Sequence, residues 1–242
     1  SSEILPAVLA IRSELGAEVA VEWSLNEMVA FQVALGASYA GKRSATIMKQ
    51  VGLNVAADAL MSSAYTGCQG GFVIVSADDP GPYSSQTEQD SRLMAMMAKI
   101  PVLDPQSPRQ ARDMVALAFE LSETFQIPVM LRPTTRVCHA RQDVQLEDIR
   151  VPDRQVAFER NPQRWAATPK YRFVLHKELE QKLIEQNENL DGNYAGCIFL
   201  QDCNRYTIRR VEARNYNGDG ISFQICHDVI VEECHSHDHA GL

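Results

Sequence analysis

The chain has 242 residues, 45% of them hydrophobic and 22% charged, with a formal net charge of -8, which is the profile of a soluble globular protein long enough for one large domain or two modest ones. The acidic balance argues against a nucleic-acid partner or an anionic membrane surface. No apolar run approaches the roughly 20 residues needed to cross a bilayer, and Ser1-Ser2-Glu3 opens no leader pattern, so the expectation is no membrane and a cytoplasmic address.

In chain order, Ser1 to Leu15 reads as a helix with Ile4, Leu5, Val8, Leu9 and Ile11 on one face and Gly16 as its stop. Glu18 to Trp23 alternates and reads as a short strand. Asn26-Glu27 opens a second helix that Gly41-Lys42 closes, and Arg43 to Met48 is the next strand, followed by the loop Lys49-Gln50-Val51-Gly52-Leu53-Asn54. Val55 to Tyr65 reads as a helix with Ala56, Ala57, Leu60, Met61 and Ala64 buried. Phe72-Val73-Ile74-Val75 is a continuous apolar run between turn signals, as a buried parallel strand reads. A long polar loop follows, then a helix from about Arg92 to Ala98, a short strand at Pro101 to Asp104, a helix from Pro108 to Phe125 and a strand from Pro128 to Arg132. Helices alternating with apolar strands at these spacings predict an α/β fold: a parallel sheet with helices on both faces.

From Arg150 the alternation stops and leads into Phe173 to Glu188, an amphipathic helix with Leu175, Leu179, Leu183 and Ile184 on one side. After Asp191-Gly192 short β-branched runs recur at a repeat of 21–23 residues: Cys203 and Cys226 (226 − 203 = 23), Ile208 and Val231 (231 − 208 = 23), Val211 and Cys234 (234 − 211 = 23), and Gly220 and Gly241 (241 − 220 = 21). Such a repeat resembles rungs of a right-handed parallel β-helix, whose strands bury their faces only against neighbouring rungs. The expected organisation is therefore a sheet domain over residues 1–149, a helical linker over 150–190 and partial β-helix rungs over 191–242. Of the cysteines, Cys197, Cys203, Cys226 and Cys234 all fall after Asp191, and with Cys68 and Cys138 they form no C-x-x-C; no iron–sulfur or zinc-knuckle ligand set is written here.

The pattern E-x-x-A-x-x-x-A-x-G-x-x-x-A-G-K (Glu27, Ala30, Ala34, Gly36, Ala40, Gly41, Lys42) and the surrounding text VEWSLNEMVAFQVALGASYAGKRSATIMKQVGLNVAADALM resemble the pyrimidine-binding domain of thiamine-diphosphate enzymes. Among these they are most similar to the alpha subunit of the indolepyruvate ferredoxin oxidoreductases, and the resemblance runs from residue 1 to about residue 188. It implies thiamine diphosphate with Mg2+ as cofactor and oxidative decarboxylation of a 2-oxoacid of the indolepyruvate class to an acyl-coenzyme A. Coenzyme A and ferredoxin are implied as partners, with a second subunit or a homo-oligomer. Iron–sulfur clusters belong to the family, but this chain has no ligands for them. The family's first strand, with its G-Y-P-G-T-P turn, and a magnesium-diphosphate segment have no counterpart in this sequence, so a catalytic subunit in part is expected.

Such a cofactor needs a carboxylic acid at N1′ of its aminopyrimidine, and the resemblance assigns that role to Glu27. The helix macrodipole alone also favours a Glu at a helix start; the Ala/Gly spacing and the flanking text are what set Glu27 apart. Glu22, in the preceding strand text, is the competing carboxylate. The loop after the strand lies where open α/β sheets bind ligands, so Lys49, Gln50, Gly52 and Asn54 are expected at the cofactor and substrate, Gly52 for close backbone approach and Lys49 for a substrate carboxylate. A solvated turn is the plainer reading of the same loop. The stretch Ala77-Asp78-Asp79-Pro80 lacks the Arg that pyruvate-using relatives carry in this region, so that role does not transfer. His235, His237 and His239 alternate as a metal-binding strand would, or make a polar turn between rungs. Asp219 sits in turn chemistry, a weak pointer to the alternative of a β-helix carbohydrate-active or binding protein; a non-catalytic composite is the third reading.

Overall fold

The computed structural model describes residues 3–15, 19–145, 156–166, 168–189, 198–201, 204–210, 212–214, 221–224 and 227–237. Packing divides the chain into two compact units, Ser1–Leu179 and Glu180–Leu242. No helix among the described residues is long and apolar enough to cross a membrane.

The first unit opens with α1 (Ile4–Leu15) and α2 (Glu27–Tyr39). Asn26 caps α2 by accepting the Val29 N–H at 3.0 Å, as a short polar side chain does at this position. Gly41, with φ 85°, turns the chain out at the far end. The strand expected at Glu18 to Trp23 is absent: residues 19–24 form no ladder, and Val19 and Trp23 are exposed. Alternation there finds no neighbouring strand, because among the described residues β1 (Ser44–Lys49) pairs only with β2 (Phe72–Ala77).

After β1 the predicted loop is instead a helical turn, α3 (Gln50–Val55), which runs into α4 (Ala57–Thr66). Leu53, Ala56 and Leu60 are almost fully buried; enclosing these apolar side chains makes the segment helical where glycine suggested a turn. Downstream lie α5 (Ser91–Ala98), β3 (Val102–Leu103), α6 (Pro108–Phe125), β4 (Val129–Leu131) and the short α7 (Thr135–Cys138). Ser107 caps α6 and Pro108 fills its first position, a combination that costs no backbone hydrogen bond.

The strands form a parallel sheet in the order β1-β2-β4-β3. Successive strand residues face opposite sides, and Phe72, Val73 and Ile74 in β2 and Val129, Met130 and Leu131 in β4 are all buried. Both faces are therefore covered. Helix α2 packs on β1 and β2, and α6 on β2 and β4. Phe31 of α2 meets Phe72 edge-on, with ring centroids 5.0 Å apart, at the centre of the main apolar cluster.

The helical segment after the sheet folds back onto it. The Ala157 N–H donates to the Ala40 carbonyl at 3.1 Å. In α8 (Pro162–Trp165), the Trp165 ring lies tilted against Tyr39 with centroids 4.5 Å apart and Arg164 donates to the Thr66 carbonyl at 2.8 Å. In α9 (Pro169–Asn189), Leu175 and Leu179 are buried as expected, whereas Ile184 is 51% exposed. Leu179 belongs to the sheet's apolar cluster, so the start of the expected linker is part of the first unit.

In the second unit β5 (Ile198–Gln201) pairs in parallel with β8 (Ile221–Gln224), β6 (Asn204–Arg209) with β9 (His227–Glu232), and β7 (Glu212–Arg214) with β10 (His235–His237). Each register has the offset read in the sequence: Ile198 faces Ile221 (221 − 198 = 23), Ile208 faces Val231 (231 − 208 = 23) and Glu212 faces His235 (235 − 212 = 23). His235 and His237 lie on a strand rather than in a turn; Cys203, Val211, Asp219, Gly220, Cys226, His239 and Gly241 fall outside the described residues.

Two glycines separate the demands of helix and turn. Gly36 in α2 has open space where a β-carbon would stand, so Gly36→Ala should stabilise by about 0.5–1 kcal/mol through helix propensity. At Gly70 a β-carbon would stand 2.2 Å from the Lys42 carbonyl oxygen, and the Ser38 hydroxyl pins the Gly70 carbonyl at 2.6 Å. Gly70→Ala should cost about 1–3 kcal/mol. Urea denaturation of the two variants should move in opposite directions.

Candidate active site

Because the strands are parallel, Lys49, Asp78, Asp104 and Arg132 all lie at or just beyond the carboxyl ends of β1, β2, β3 and β4, one end of the sheet. This is where ligands bind in open α/β sheets. The Asn26 cap places Glu27 in the first position of α2, and its side chain is half-buried. The neighbour that shapes its surroundings is Gly52: a β-carbon built there would stand 2.6 Å from Glu27 Cγ, 2.7 Å from Oε1 and 2.9 Å from Cδ. Among the described residues nothing donates a hydrogen bond to the Glu27 carboxylate.

Helix α3 divides the rest of the expected set. Gly52 faces Glu27, while Lys49 and Gln50 turn to the loop after β2. Lys49 Nζ donates to the Ser84 carbonyl at 2.9 Å and to its hydroxyl at 2.8 Å. Gln50 is 1% exposed. Its Nε2 donates to the Thr87 carbonyl at 3.2 Å, and its Oε1 is buried with no partner among the described residues. The reverse amide orientation would set two oxygens against each other, so the acceptor is the free end. Asn54 is exposed and two residues on from Gly52, which turns it away from Glu27. Glu22 is exposed as well.

A charged network missing from the sequence reading holds the loop down. Arg132 and Asp78 are 5% and 1% exposed. Arg132 Nε donates to Asp78 at 2.6 Å and Nη1 to Asp104 at 2.9 Å, and Asp90 lies 3.6 Å from Nε. Asp78 also accepts from the Ser91 N–H at 2.9 Å and from the Ser91 hydroxyl. The loop after β2 lacks an Arg of its own, yet the end of β4 delivers one. The available signal was that two predicted strands end on a charged residue, at Asp104 and Arg132, and that Asp78 follows a third three residues on. In this structure the guanidinium is committed to carboxylates.

Next in sequence, Asp79 accepts from the Ser84 N–H at 2.8 Å and the Thr135 hydroxyl at 2.8 Å. The Ser84 N–H, with help from the Thr135 hydroxyl, outweighs burial and holds the Asp79 carboxyl down to about 2. Asp79 thus fixes Ser84, and Ser84 holds Lys49. Among the described residues no group of His, Cys, Asp or Glu side chains is arranged to hold a metal ion.

Residues 1–189 match the family model "Pyruvate flavodoxin/ferredoxin oxidoreductase, thiamine diP-bdg". The indolepyruvate oxidoreductase subunit IorA of Thermococcus kodakarensis is 45% identical over 197 residues, 79% of this chain and 30% of that protein. The subunit of the same name from Archaeoglobus fulgidus is 48% identical over 166 residues, 67% of this chain and 26% of that protein. This chain thus spans about 30% of the length of the first of these relatives. A solved 2-oxoglutarate:ferredoxin oxidoreductase from Magnetococcus marinus, with 2-oxoglutarate, coenzyme A and succinyl-CoA bound, superposes with a TM-score of 0.57 at 16% identity, covering 84% of this chain and 43% of that one; it shares the fold.

Two measurements test the network. Arg132→Ala leaves Asp78 buried without its cation and should cost about 3–5 kcal/mol, read by denaturant unfolding. Asp79's carboxyl is depressed from the ordinary 3.8 to about 2, so its bonds contribute fully above pH about 4 and are lost as pH falls toward 2. Protection of the Ser84 amide from hydrogen exchange should fall across that window, and Asp79→Asn should remove the dependence.

Proposed function

The chain belongs to the pyruvate flavodoxin/ferredoxin oxidoreductase family through its thiamine-diphosphate-binding domain, and on that premise we propose that it supplies the pyrimidine-binding half of an aryl-2-oxoacid:ferredoxin oxidoreductase. The reaction is oxidative decarboxylation of a 2-oxoacid of the indolepyruvate class to the acyl-coenzyme A, with ferredoxin as electron acceptor. The observation that carries this reading is the Glu27 carboxylate. It stands at the start of a capped helix, half-buried against a glycine, with no hydrogen-bond donor among the described residues. An acid meant to share a proton with a ligand's ring nitrogen has to be free of internal partners, and the missing β-carbon of Gly52 leaves room for the Glu27 side chain itself. The residues fit the aminopyrimidine of thiamine diphosphate.

When bound, that cofactor supplies the nucleophilic carbon and the electron sink for decarboxylation. The chain's own groups bind and orient. Glu27 holds the proton at N1′ of the ring. Gln50 offers a buried acceptor, Oε1, to an N–H of the ligand; leaving it unpaired costs about 1–3 kcal/mol, and a bound donor would recover this. Lys49, a cation that among the described residues is held by the neutral oxygens of Ser84, suits the substrate carboxylate. Asn54, exposed on the other side of α3, contributes at most at the rim. The Mg2+–diphosphate half and the iron–sulfur clusters are assigned to other parts of the assembly.

Several subunits are implied, since the curated relatives are named as subunits. Leu25 is 97% exposed, Trp23 68% and Val33 51%; these side chains beside α2 suit burial against a neighbouring domain or chain. In the second unit, the three parallel pairs at one offset support a solenoid coil.

Calorimetric titration of thiamine diphosphate with magnesium should show binding that Glu27→Gln abolishes; equal binding by the variant would refute the assignment. Light scattering of the isolated chain should show self-association through the exposed apolar side chains, and a monodisperse monomer would count against it.

A further inference from the structure

A glycine inside a helix lowers stability relative to alanine and needs a reason. For Gly52 the backbone is not that reason. It lies within α3, and the glycines with positive φ among the described residues are Gly41, Gly67 and Gly81. What remains is space, and one side chain fills it. All three atoms nearest a β-carbon at position 52 belong to Glu27: Cγ at 2.6 Å, Oε1 at 2.7 Å and Cδ at 2.9 Å. Real β-carbons essentially never come within 3.0 Å of a non-bonded heavy atom from elsewhere in the chain, so a methyl group there and the present Glu27 side chain exclude each other. Since Asn26 caps α2 and Phe31 anchors it in the core, the backbone of Glu27 is held, and the side chain is the part that moves. Gly36, also helical, has nothing within 4 Å of its missing β-carbon; the demand at position 52 is local to Glu27.

We propose that Gly52 is a positioning residue for Glu27: its missing side chain fixes where the carboxylate stands over the first turn of α3, and any side chain at this position swings the carboxylate out of line with its ligand. The proposal rests on the role of Glu27 given above. It makes the β1–α3 junction a gauge for the acid on α2, joining two segments 25 residues apart in sequence (52 − 27).

The test compares the full chain with Gly52→Ala, Glu27→Gln, Glu27→Ala and the Gly52→Ala/Glu27→Ala double variant. Two readouts are used: the side-chain carboxyl 13C resonance of Glu27, and calorimetric titration of thiamine diphosphate with magnesium. In Gly52→Ala the Glu27 resonance should shift and binding should weaken about 10- to 100-fold, the loss of one charge-assisted hydrogen bond. An unmoved resonance together with wild-type affinity overturns the proposal. If Glu27→Gln binds like the wild type, the cofactor role of Glu27 fails, and the resonance alone then decides the positioning claim. Should Gly52→Ala not fold, the Glu27→Ala background decides instead. There the alanine has no carboxylate to displace and should raise the melting temperature by a few degrees (~2–4 °C per kcal/mol for a chain of this size); a fall in that background too means that Gly52 serves something other than Glu27, and the proposal is wrong.

Discussion

The ion pair between Asp78 and Arg132 is the contact on which the carboxyl end of the sheet depends. Two charges this deeply buried lose their hydration, and only close hydrogen-bonded geometry offsets that loss. The structure supplies it from four segments: the end of β2, the end of β4, the end of β3 through Asp104, and the start of α5 through Ser91. Parallel pairing brings these segments together, since it stacks every strand's carboxyl end on the same side.

From that anchor the order spreads by single hydrogen bonds. Asp79 holds Ser84, Ser84 holds Lys49, and Thr87 holds Gln50. Across the short helix α3, Gly52 meets Glu27. A carboxylate, an ammonium group and a buried amide oxygen are thereby set around one short helix, from strands and helices rather than from loops alone. Constellations carried on such elements hold their geometry better than those on loops. The ammonium and the amide are bonded to main-chain carbonyls of a largely exposed loop.

The second unit obeys a different rule. Its strands pair in parallel with strands 23 residues further along (221 − 198 = 23), so the same backbone geometry recurs at that offset. Arg210 and Glu233 show this: both adopt the left-handed conformation, at φ 55° and 53°, and they stand one offset apart (233 − 210 = 23). Neither is glycine, and each bears the steric cost of that region, about 1–2 kcal/mol per residue. Arg210 follows β6 and Glu233 follows β9. Ladder hydrogen bonds and the Arg209–Glu232 ion pair at 3.0 Å link β6 to β9.

Much of this was legible from the residues. The helix from Asn26-Glu27, the apolar run at Phe72 to Val75, the helix at Pro108 and the coil offset are all written in periodicity and cap chemistry, which are local. Three features were not. Residues 19–23 alternate like a strand but have no partner to complete a ladder, and partnership is not a local property. The segment from Gln50 to Val55 looked like a glycine loop because the burial of Leu53 and Ala56 that makes it helical comes from elsewhere in the fold. The cluster of Asp78, Asp90, Asp104 and Arg132 spans more than 50 residues of sequence, and only strand order brings it together. The sequence by itself determined the parallel α/β class, the acid on α2 and the glycine after β1. The tertiary structure alone decided that this glycine faces that acid and that the arginine of β4 locks the loop of β2, because such contacts arise from packing between segments whose spacing along the chain carries no trace of it.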